Sequence, residues 1–228
     1  MMKSKHLDEL KQRSQWVNFI LYPDRVNENG EAVHYSKPPI NPLTLKNGRN
    51  NDPADWTDYN TAAAQIGKKA TYRNNKGEYS DHEVAGVGVV LSGGYYGIDI
   101  DDAIGDDGKA APFALEILER LDTFAEVSVS GRGLHIFIYS EDLLNEDYTK
   151  NKLFPITADG SPTSRDMKEA AVEFHGTPTG RTYFTFTGKA YPGYDRPINH
   201  TMGAEFKKLY AEYQARADAY LKAKRPRP

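Results

Sequence analysis

The sequence predicts a fold that combines β-strands with α-helices, and three observations indicate this. Apolar and polar residues alternate over residues 97–101, 134–140 and 171–175, as they do in strands with one buried face. A proline opens residues 112–121, where apolar side chains recur at helical spacing. A second segment of helical character closes the chain at 203–224. Both types of element are therefore expected throughout the chain.

The first ninety residues are expected to form short elements separated by turns. In chain order, the predicted elements are a polar helix at 3–13, a strand at 16–22, a turn at 27–30 with a return strand at 33–36, an extended segment at 37–39, a helix opened by Asp52 and continued over 59–66, an exposed polar loop at 67–82 and an apolar strand at 86–91. Asp52 is a suitable helix cap, because its side chain can accept from the first free amides. The prolines after Lys37 keep that segment extended.

The glycine pair at 93–94 predicts a hairpin that turns the strand at 86–91 back into the strand containing Asp99. After the helix at 112–121, the remaining predicted elements are strands at 124–129, 134–140, 171–175 and 181–187, and the helix at 203–224, whose aromatic stripe is expected to pack against a core. The polar member of each alternating strand faces away from its apolar neighbours. The simplest arrangement places these polar residues over one sheet face.

Asp99 and Asp101 are the most informative pair in the chain. Residues two apart on a strand project to the same side, so the two carboxylates should lie together, with Ile98 and Ile100 facing a core. Acidic pairs also occur at strand ends, where they cap turns and face water. Like charges held side by side repel unless a cation lies between them, and oxygen ligands suit Mg²⁺ or Mn²⁺. The pair therefore outlines a metal site.

Further polar groups follow on predicted strands. Ser130 and His135 flank a glycine-rich turn between two strands, Glu173 lies on the next strand, and Arg181 begins the one after. The turn at 130–133 can present backbone N–H groups and a hydroxyl to an anion. A single strand histidine is more often structural, and His175 is interpreted in that way. His135, which follows the turn, is instead a candidate phosphate contact.

This arrangement resembles the archaeo-eukaryotic primase superfamily, specifically the primase-polymerase domains of phages, plasmids and other mobile elements. The family order is an Asp-x-Asp strand, a Ser-x-x-Gly-x-His hairpin and a third acid on a strand. The matching positions are Asp99 and Asp101, Ser130 and His135, and Glu173. Segments at 16–19, 37–42, 52–56 and 185–188 extend the similarity over residues 14–190. Thr182 separates Arg181 from the aromatic pair that it directly precedes in many family members.

The resemblance implies an α+β fold in which an RRM-like antiparallel or mixed sheet carries the catalytic acids and packs with a smaller N-terminal αβ lobe. The catalytic domain would span 1–200, with two lobes sharing a cleft, and a C-terminal helix and basic tail would span 201–228. Asp99, Asp101 and Glu173 would hold two Mg²⁺ or Mn²⁺ ions. The nucleotide-binding residues would be Ser130, Arg132, Gly133, His135 and Arg181.

The implied function is DNA-templated nucleotidyl transfer, a primase that also extends primers, with single-stranded DNA, NTPs or dNTPs and a replicative helicase as partners. Two alternatives stay open. A metal-dependent nuclease could use the same acids, and a single-stranded DNA-binding module could retain an inactive site. Lys37 also has two interpretations, a structural crossover or a contact with template or nucleotide.

Composition excludes some classes. The chain has no cysteine, so disulfides and thiolate zinc sites are excluded, and no zinc is expected. No apolar run is long enough for a bilayer and the first residues are polar, which predicts a cytoplasmic protein without membrane partners. The net charge of -3 is low for a nucleic-acid-binding protein. Basic residues cluster near Lys68, Lys69, Arg73 and Lys76 and at 222–227, where solvated surfaces are the first interpretation.

Overall fold

The computed structural model describes residues 7–148, 152–155 and 171–224. The chain divides into two compact units. Of the described residues, the N-terminal unit contains 7–91 and 179–187, and the C-terminal unit contains 92–148, 152–155, 171–178 and 188–224. The fold is of the α+β class, as the sequence predicts.

The helices of the described residues are α1 Asp8–Lys11, α2 Tyr59–Ala63, α3 Pro112–Leu121 and α4 Gly203–Lys224. The strands are β1 Trp16–Ile20, β2 Tyr22–Val26, β3 Ala32–Ser36, β4 Pro39–Asn41, β5 Lys46–Asn47, β6 Lys69–Arg73, β7 Tyr79–Val90, β8 Tyr95–Asp101, β9 Ala125–Val127, β10 Leu134–Tyr139, β11 Lys152–Pro155, β12 Ala171–His175 and β13 Tyr183–Phe186.

In the N-terminal unit, strands β1, β4, β5, β6 and β7 pair in that order, and β1 also pairs with β7, so the five strands close into a ring. The length of β7 allows this closure: its first half pairs with β6, and its second half pairs with β1 and β13. The edge of β7 that lies beyond its pairing with β6 is covered by β13. Ile20, Ile40, Ala70 and Val84 form one buried cluster of the unit.

Two predictions for this unit have different outcomes. The turn at 27–30 does join two antiparallel strands, β2 and β3. The exposed loop predicted at 67–82 is wrong, because β6 and the start of β7 form a hairpin there. The apolar–polar alternation of a strand is hidden here, because most residues of the hairpin are polar and only Ala70 of β6 is buried.

The Asp55 carboxylate connects Asn41, at the end of β4, with Arg49, which follows β5. Its side chain is largely buried and accepts from the Asn41 side-chain amide at 2.9 Å, the Arg49 backbone amide at 2.9 Å and the Arg49 Nε at 2.7 Å. The hydrogen bond from Arg49 is the main reason why the pKa of Asp55 lies below its ordinary value. A lowered carboxyl pKa stabilises the fold above the unfolded-state pKa of about 3.9, and this contribution is lost as the pH falls through the folded-state value.

Replacing Asp55 with Asn should therefore destabilise the N-terminal unit by about 2–3 kcal/mol at neutral pH and remove its contribution to acid sensitivity below about pH 4. Both tryptophans, Trp16 and Trp56, belong to this unit, so denaturant unfolding followed by tryptophan fluorescence reports on it. Asp24→Asn is the control, because Asp24 pairs with His34 on an exposed hairpin and should matter little. Equal stability curves for Asp55→Asn and wild type would contradict the assignment.

The C-terminal unit is built on a sheet with the strand order β11-β12-β8-β10-β9, in which every pairing is antiparallel. Alternation along the three central strands gives the sheet two different faces. One face is apolar and its side chains are fully buried, namely Ile98, Ile100, Leu134, Ile136, Val172 and Phe174. The helices α3 and α4 contribute to the same core.

The two helices follow the predicted patterns. In α3, Pro112 opens the helix and Phe113, Ile117, Leu118 and Leu121 are buried, as expected. In α4, Phe206, Leu209 and Tyr213 of the predicted stripe lie in the core and Tyr210 packs against it, whereas the side chain of Tyr220 lies outside the described residues. Arg120 of α3 joins the helices, donating from Nε to Glu205 at 2.6 Å and from both terminal nitrogens to Glu212 at 2.7 and 3.1 Å.

The helix at 203–224 contributes its apolar stripe to the core of the C-terminal unit, in agreement with the expected packing. Two expectations about organisation differ from the structure. The hairpin predicted at 92–94 is wrong, since β7 and β8 belong to different sheets. The strand predicted at 181–187 forms as β13 but pairs with β7, so it does not share the sheet of Asp99.

The basic tail at 225–228 lies outside the described residues. None of the helices in the described residues has both the length and the apolar character needed to cross a membrane.

Candidate functional site

A row of ionisable side chains crosses the face of the C-terminal sheet opposite the helices. Asp99 on β8 is paired in register with His135 on β10 and with Glu173 on β12. His135 is in turn paired with Glu126 on β9. Directly opposed residues of antiparallel strands project to the same face, so these four residues form one line, here called the ionisable row.

Exposure changes along the ionisable row. The side chain of Glu126 is fully buried and that of His135 is 6% exposed, whereas Asp99 is 27% exposed and Glu173 15% exposed. The accessible part of the row therefore consists of carboxylates, and the buried part holds the histidine. A ligand that approaches this face meets Asp99 and Glu173 first.

Glu126 anchors the buried end of the row. Its Oε1 lies 3.1 Å from His135 Nδ1, and its Oε2 accepts from the Gly188 backbone amide at 2.8 Å. A carboxylate oxygen can only accept, so the Nδ1 atom of His135 carries the proton and donates to Glu126. The other ring nitrogen, Nε2, lies 3.8 Å from Asp99 Oδ1. The contact with Glu126 thus fixes the orientation of the ring and directs Nε2 toward Asp99.

Sequence reasoning missed Glu126. The signal was present, because Glu126 lies between Ala125 and Val127 on a short strand and so projects oppositely to them, as His135 does between Leu134 and Ile136. His175, interpreted from sequence as structural, also lies beside a predicted site residue, with Nε2 at 3.2 Å from Glu173 Oε2.

Asp101 follows Asp99 on the same side of β8 and is exposed, with Ala171 as its partner on β12. The predicted ligands Asp99, Asp101 and Glu173 thus share one sheet face. Their donor set, three carboxylates without sulfur, fits Mg²⁺ or Mn²⁺ in chemistry. In the described parts of the chain, no three acidic or histidine side chains converge closely enough to hold an ion together.

The turn between β9 and β10 is closed by its own serines. The amide of Gly131 donates to the Ser128 carbonyl at 2.9 Å, that of Arg132 to Ser130 Oγ at 3.3 Å, and that of Gly133 to Ser128 Oγ at 3.2 Å. The two hydroxyls lie 3.0 Å apart. An anion at this turn would therefore take over bonds that the serine hydroxyls now accept, rather than meet amides that point into solvent.

Gly133, predicted to bind nucleotide, has a structural reason to be glycine. A Cβ atom at this position would lie 2.8 Å from the Ile100 carbonyl oxygen and 2.9 Å from Ser128 Oγ. Real Cβ atoms do not approach backbone so closely, and the oxygen belongs to the strand that carries the acids. Gly133 therefore lets the turn lie directly against β8.

Arg132 forms an ion pair beside the acids. Its Nε donates to Asp102 Oδ1 at 2.8 Å, and a terminal nitrogen lies 3.6 Å from Asp106. Its backbone carbonyl accepts from the Ile104 amide at 2.8 Å, which attaches the turn to the segment after β8. More than half of the guanidinium side chain remains exposed, so it can exchange Asp102 for another anion.

The two other predicted contacts lie in the N-terminal unit. The carbonyl of Arg181 accepts from the Asn50 side chain at 2.7 Å, and the carbonyl of Lys37 accepts from the Tyr183 hydroxyl. Both bonds hold the backbone of these residues within that unit. The structure brings together Asp99, Asp101, Glu173, His135 and the turn at 130–133, all within the C-terminal unit. A comparison with protein-family models and with curated proteins finds no match to this sequence.

Proposed function

We propose that this chain is a DNA-templated nucleotidyltransferase that makes and extends primers on single-stranded DNA. The observation that carries the proposal is the ionisable row, in which Asp99 lies between Glu173 and His135 on adjacent strands with Asp101 beside it. The order of strands β12-β8-β10-β9, with α3 joining β8 to β9, supports an RRM-like sheet as the carrier of these residues.

In this proposal Asp99, Asp101 and Glu173 hold divalent cations. Two such ions, when bound, stabilise the negative charge that develops on the attacking and leaving oxygens of phosphoryl transfer. In this role the carboxylates act as metal ligands and do not donate or accept a proton. Their partial exposure lets a substrate triphosphate reach them, while the buried side of the row excludes water from His135.

The other residues bind the incoming nucleotide. His135 is held by Glu126, so that Nε2 is directed to the exposed part of the row, where it can donate to a phosphate oxygen when the ring is protonated. Ser130 and Arg132 supply a hydroxyl and a guanidinium from the adjacent turn, and Gly133 keeps that turn close to β8. Two further contacts are proposed on residues of the N-terminal unit: Arg181 with nucleotide, and Lys37 with template or nucleotide.

The proposal is tested by incubating the protein with single-stranded DNA, labelled NTPs or dNTPs, and Mg²⁺ or Mn²⁺, and resolving the products on a gel. New oligomers or extended primers support it. Shortened DNA would instead identify a metal-dependent nuclease, and unchanged DNA together with strand binding would identify an inactive DNA-binding module. Omission of each divalent metal is the internal control.

The hairpin residues should affect nucleotide rather than template. His135→Ala and Arg132→Ala are each expected to raise the apparent KM for nucleotide about tenfold or more, because a charge-assisted hydrogen bond to phosphate contributes about 1.5–3 kcal/mol. Steady-state kinetics over a nucleotide titration measures this, and template affinity should change little.

Asp102→Asn is the matched control for Arg132. It removes the charge that holds the guanidinium but keeps a residue that tolerates the left-handed backbone of this position, with φ at 49°. The control should leave the KM unchanged or lower it. Normal nucleotide KM with weakened DNA binding in the His135 and Arg132 variants would assign the hairpin to the template instead.

A further inference from the structure

A depression on the N-terminal unit lies outside the residues assigned so far. Its volume is about 540 Å³, and it is lined by Lys46, Asn47, Thr71, Arg73, Asn74 and Tyr79. This volume is within the range of about 300–1,000 Å³ that is usual for ligand sites. The lining residues come from β5, β6, β7 and the turn between the last two.

Strand pairing fixes the positions of the lining residues. Lys46 on β5 is the parallel partner of Thr71 on β6, and Arg73 is the antiparallel partner of Tyr79. The Asn47 side chain donates to the Arg73 carbonyl at 2.8 Å and accepts from the Arg73 amide at 2.7 Å. The backbone that carries the two cations is therefore held by the sheet and by this amide.

The depression is positively charged. None of its six lining residues is acidic, and Lys46 and Arg73 form no ion pair within the described residues. Two acids lie on this hairpin. Glu78, in the turn between β6 and β7, accepts at Oε2 from the lining residue Asn74 at 2.8 Å, and Asp81 on β7 is bound by Lys69 at 2.8 Å and by the Thr71 hydroxyl at 2.8 Å. Two unneutralised cations on one rigid surface favour an anionic partner.

Tyr79 narrows the choice of anion. Its side chain is 70% exposed, and the Arg73 guanidinium lies 5.7 Å from the ring centroid. Inorganic phosphate would contact the cations but would have no contact with the large exposed ring. Single-stranded nucleic acid can contact both, since bases stack on aromatic side chains while phosphates bind Lys and Arg.

We propose that this depression binds single-stranded nucleic acid, with Lys46 and Arg73 contacting consecutive phosphates and Tyr79 stacking on a base. The inference rests on the proposed function, because the proposed ligand is the single-stranded DNA template. It adds a surface of the N-terminal unit to which that template would bind. Single-stranded nucleic acid uses the charge and the ring together.

The test is fluorescence anisotropy of a labelled single-stranded oligonucleotide titrated with the full chain, without metal or nucleotide, at several salt concentrations. Lys46→Ala and Arg73→Ala should each reduce the slope of log affinity against log salt by about 0.7, because each removes one phosphate contact. Tyr79→Ala should weaken binding about tenfold at a fixed salt concentration, and Tyr79→Phe should retain it.

Lys109→Ala is the control, because it removes the same charge from an exposed turn of the C-terminal unit and should leave both affinity and slope unchanged. Unchanged affinity and slope in all three depression variants would overturn the proposal. The proposal would also be overturned if the three depression variants lost binding to a polyglutamate peptide to the same extent as to the oligonucleotide, because the surface would then bind any polyanion. The anisotropy assay needs no catalysis, so its result can be interpreted even if the protein makes no primers. A negative result in the anisotropy assay, in turn, does not contradict the role proposed for the ionisable row.

Discussion

Replacing Asp99 and Asp101 together with Ala is expected to abolish nucleotide incorporation while the C-terminal unit stays folded. The double variant removes two of the three carboxylates proposed to hold divalent cations. Metal stabilisation of phosphoryl transfer contributes several kcal/mol, and each 1.36 kcal/mol corresponds to a tenfold change in rate, so a loss of about a thousandfold or more is expected. The gel assay with Mg²⁺ and with Mn²⁺ measures it.

The fold should survive this change, because both side chains are at least partly exposed and lie near Glu173, so their removal relieves like-charge repulsion. Glu119→Ala is the matched control, since it removes an exposed acid from α3, outside the sheet. It should keep the wild-type rate. Synthesis by the Asp99 and Asp101 variant at near wild-type rate would refute the assignment of these acids.

Glu126→Ala is expected to destabilise the C-terminal unit by about 3–5 kcal/mol. Glu126 is fully buried and accepts from both the His135 ring and the Gly188 amide. Truncation therefore removes these bonds from a buried ring and a partly buried amide, and it also leaves a void. Denaturant unfolding followed by circular dichroism, whose helical signal comes largely from α3 and α4, measures the loss.

Glu126→Gln separates charge from shape. Its amide oxygen can still accept from Gly188, and its amide nitrogen would then donate to His135 Nδ1, so the ring proton should move to Nε2. Nitrogen NMR of His135 distinguishes the two tautomers. Glu119→Gln is the control on the same unit and should change neither stability nor tautomer. A Glu126→Ala variant as stable as wild type, or an unchanged tautomer in Glu126→Gln, would contradict the anchoring role.

Periodicity predicted the C-terminal unit well and the N-terminal unit poorly. In α3 and β12, apolar side chains recur at the period of the element, because each packs one face on a core. In β6 the strand is mostly polar, and its existence depends on pairing with β7, which no local pattern records. The false hairpin at 92–94 has the same origin, since glycines indicate a turn but not which sheet the chain then enters.

The candidate site shows the same division. The alternation in β8 predicted that Asp99 and Asp101 share a face, and the register of β10 and β12 brings His135 and Glu173 to the same row. What the sequence could not supply was the pairing of Glu126 with His135, because the contact depends on a cross-strand register rather than on spacing along the chain. Arg181 lies on the other sheet for a similar reason.

The strand β13 has a consequence for how the chain acquires its structure. The first segment of the N-terminal unit ends at residue 91, but the last strand of the unit comes from residues 179–187, which are synthesised after most of the other unit. During synthesis, the outer edge of β7 that pairs with β13 has to wait for nearly ninety further residues, and such non-local pairing slows folding. An expression fragment cut after residue 91 would keep the closed ring of strands yet expose that edge, where a second copy can pair with it and aggregate.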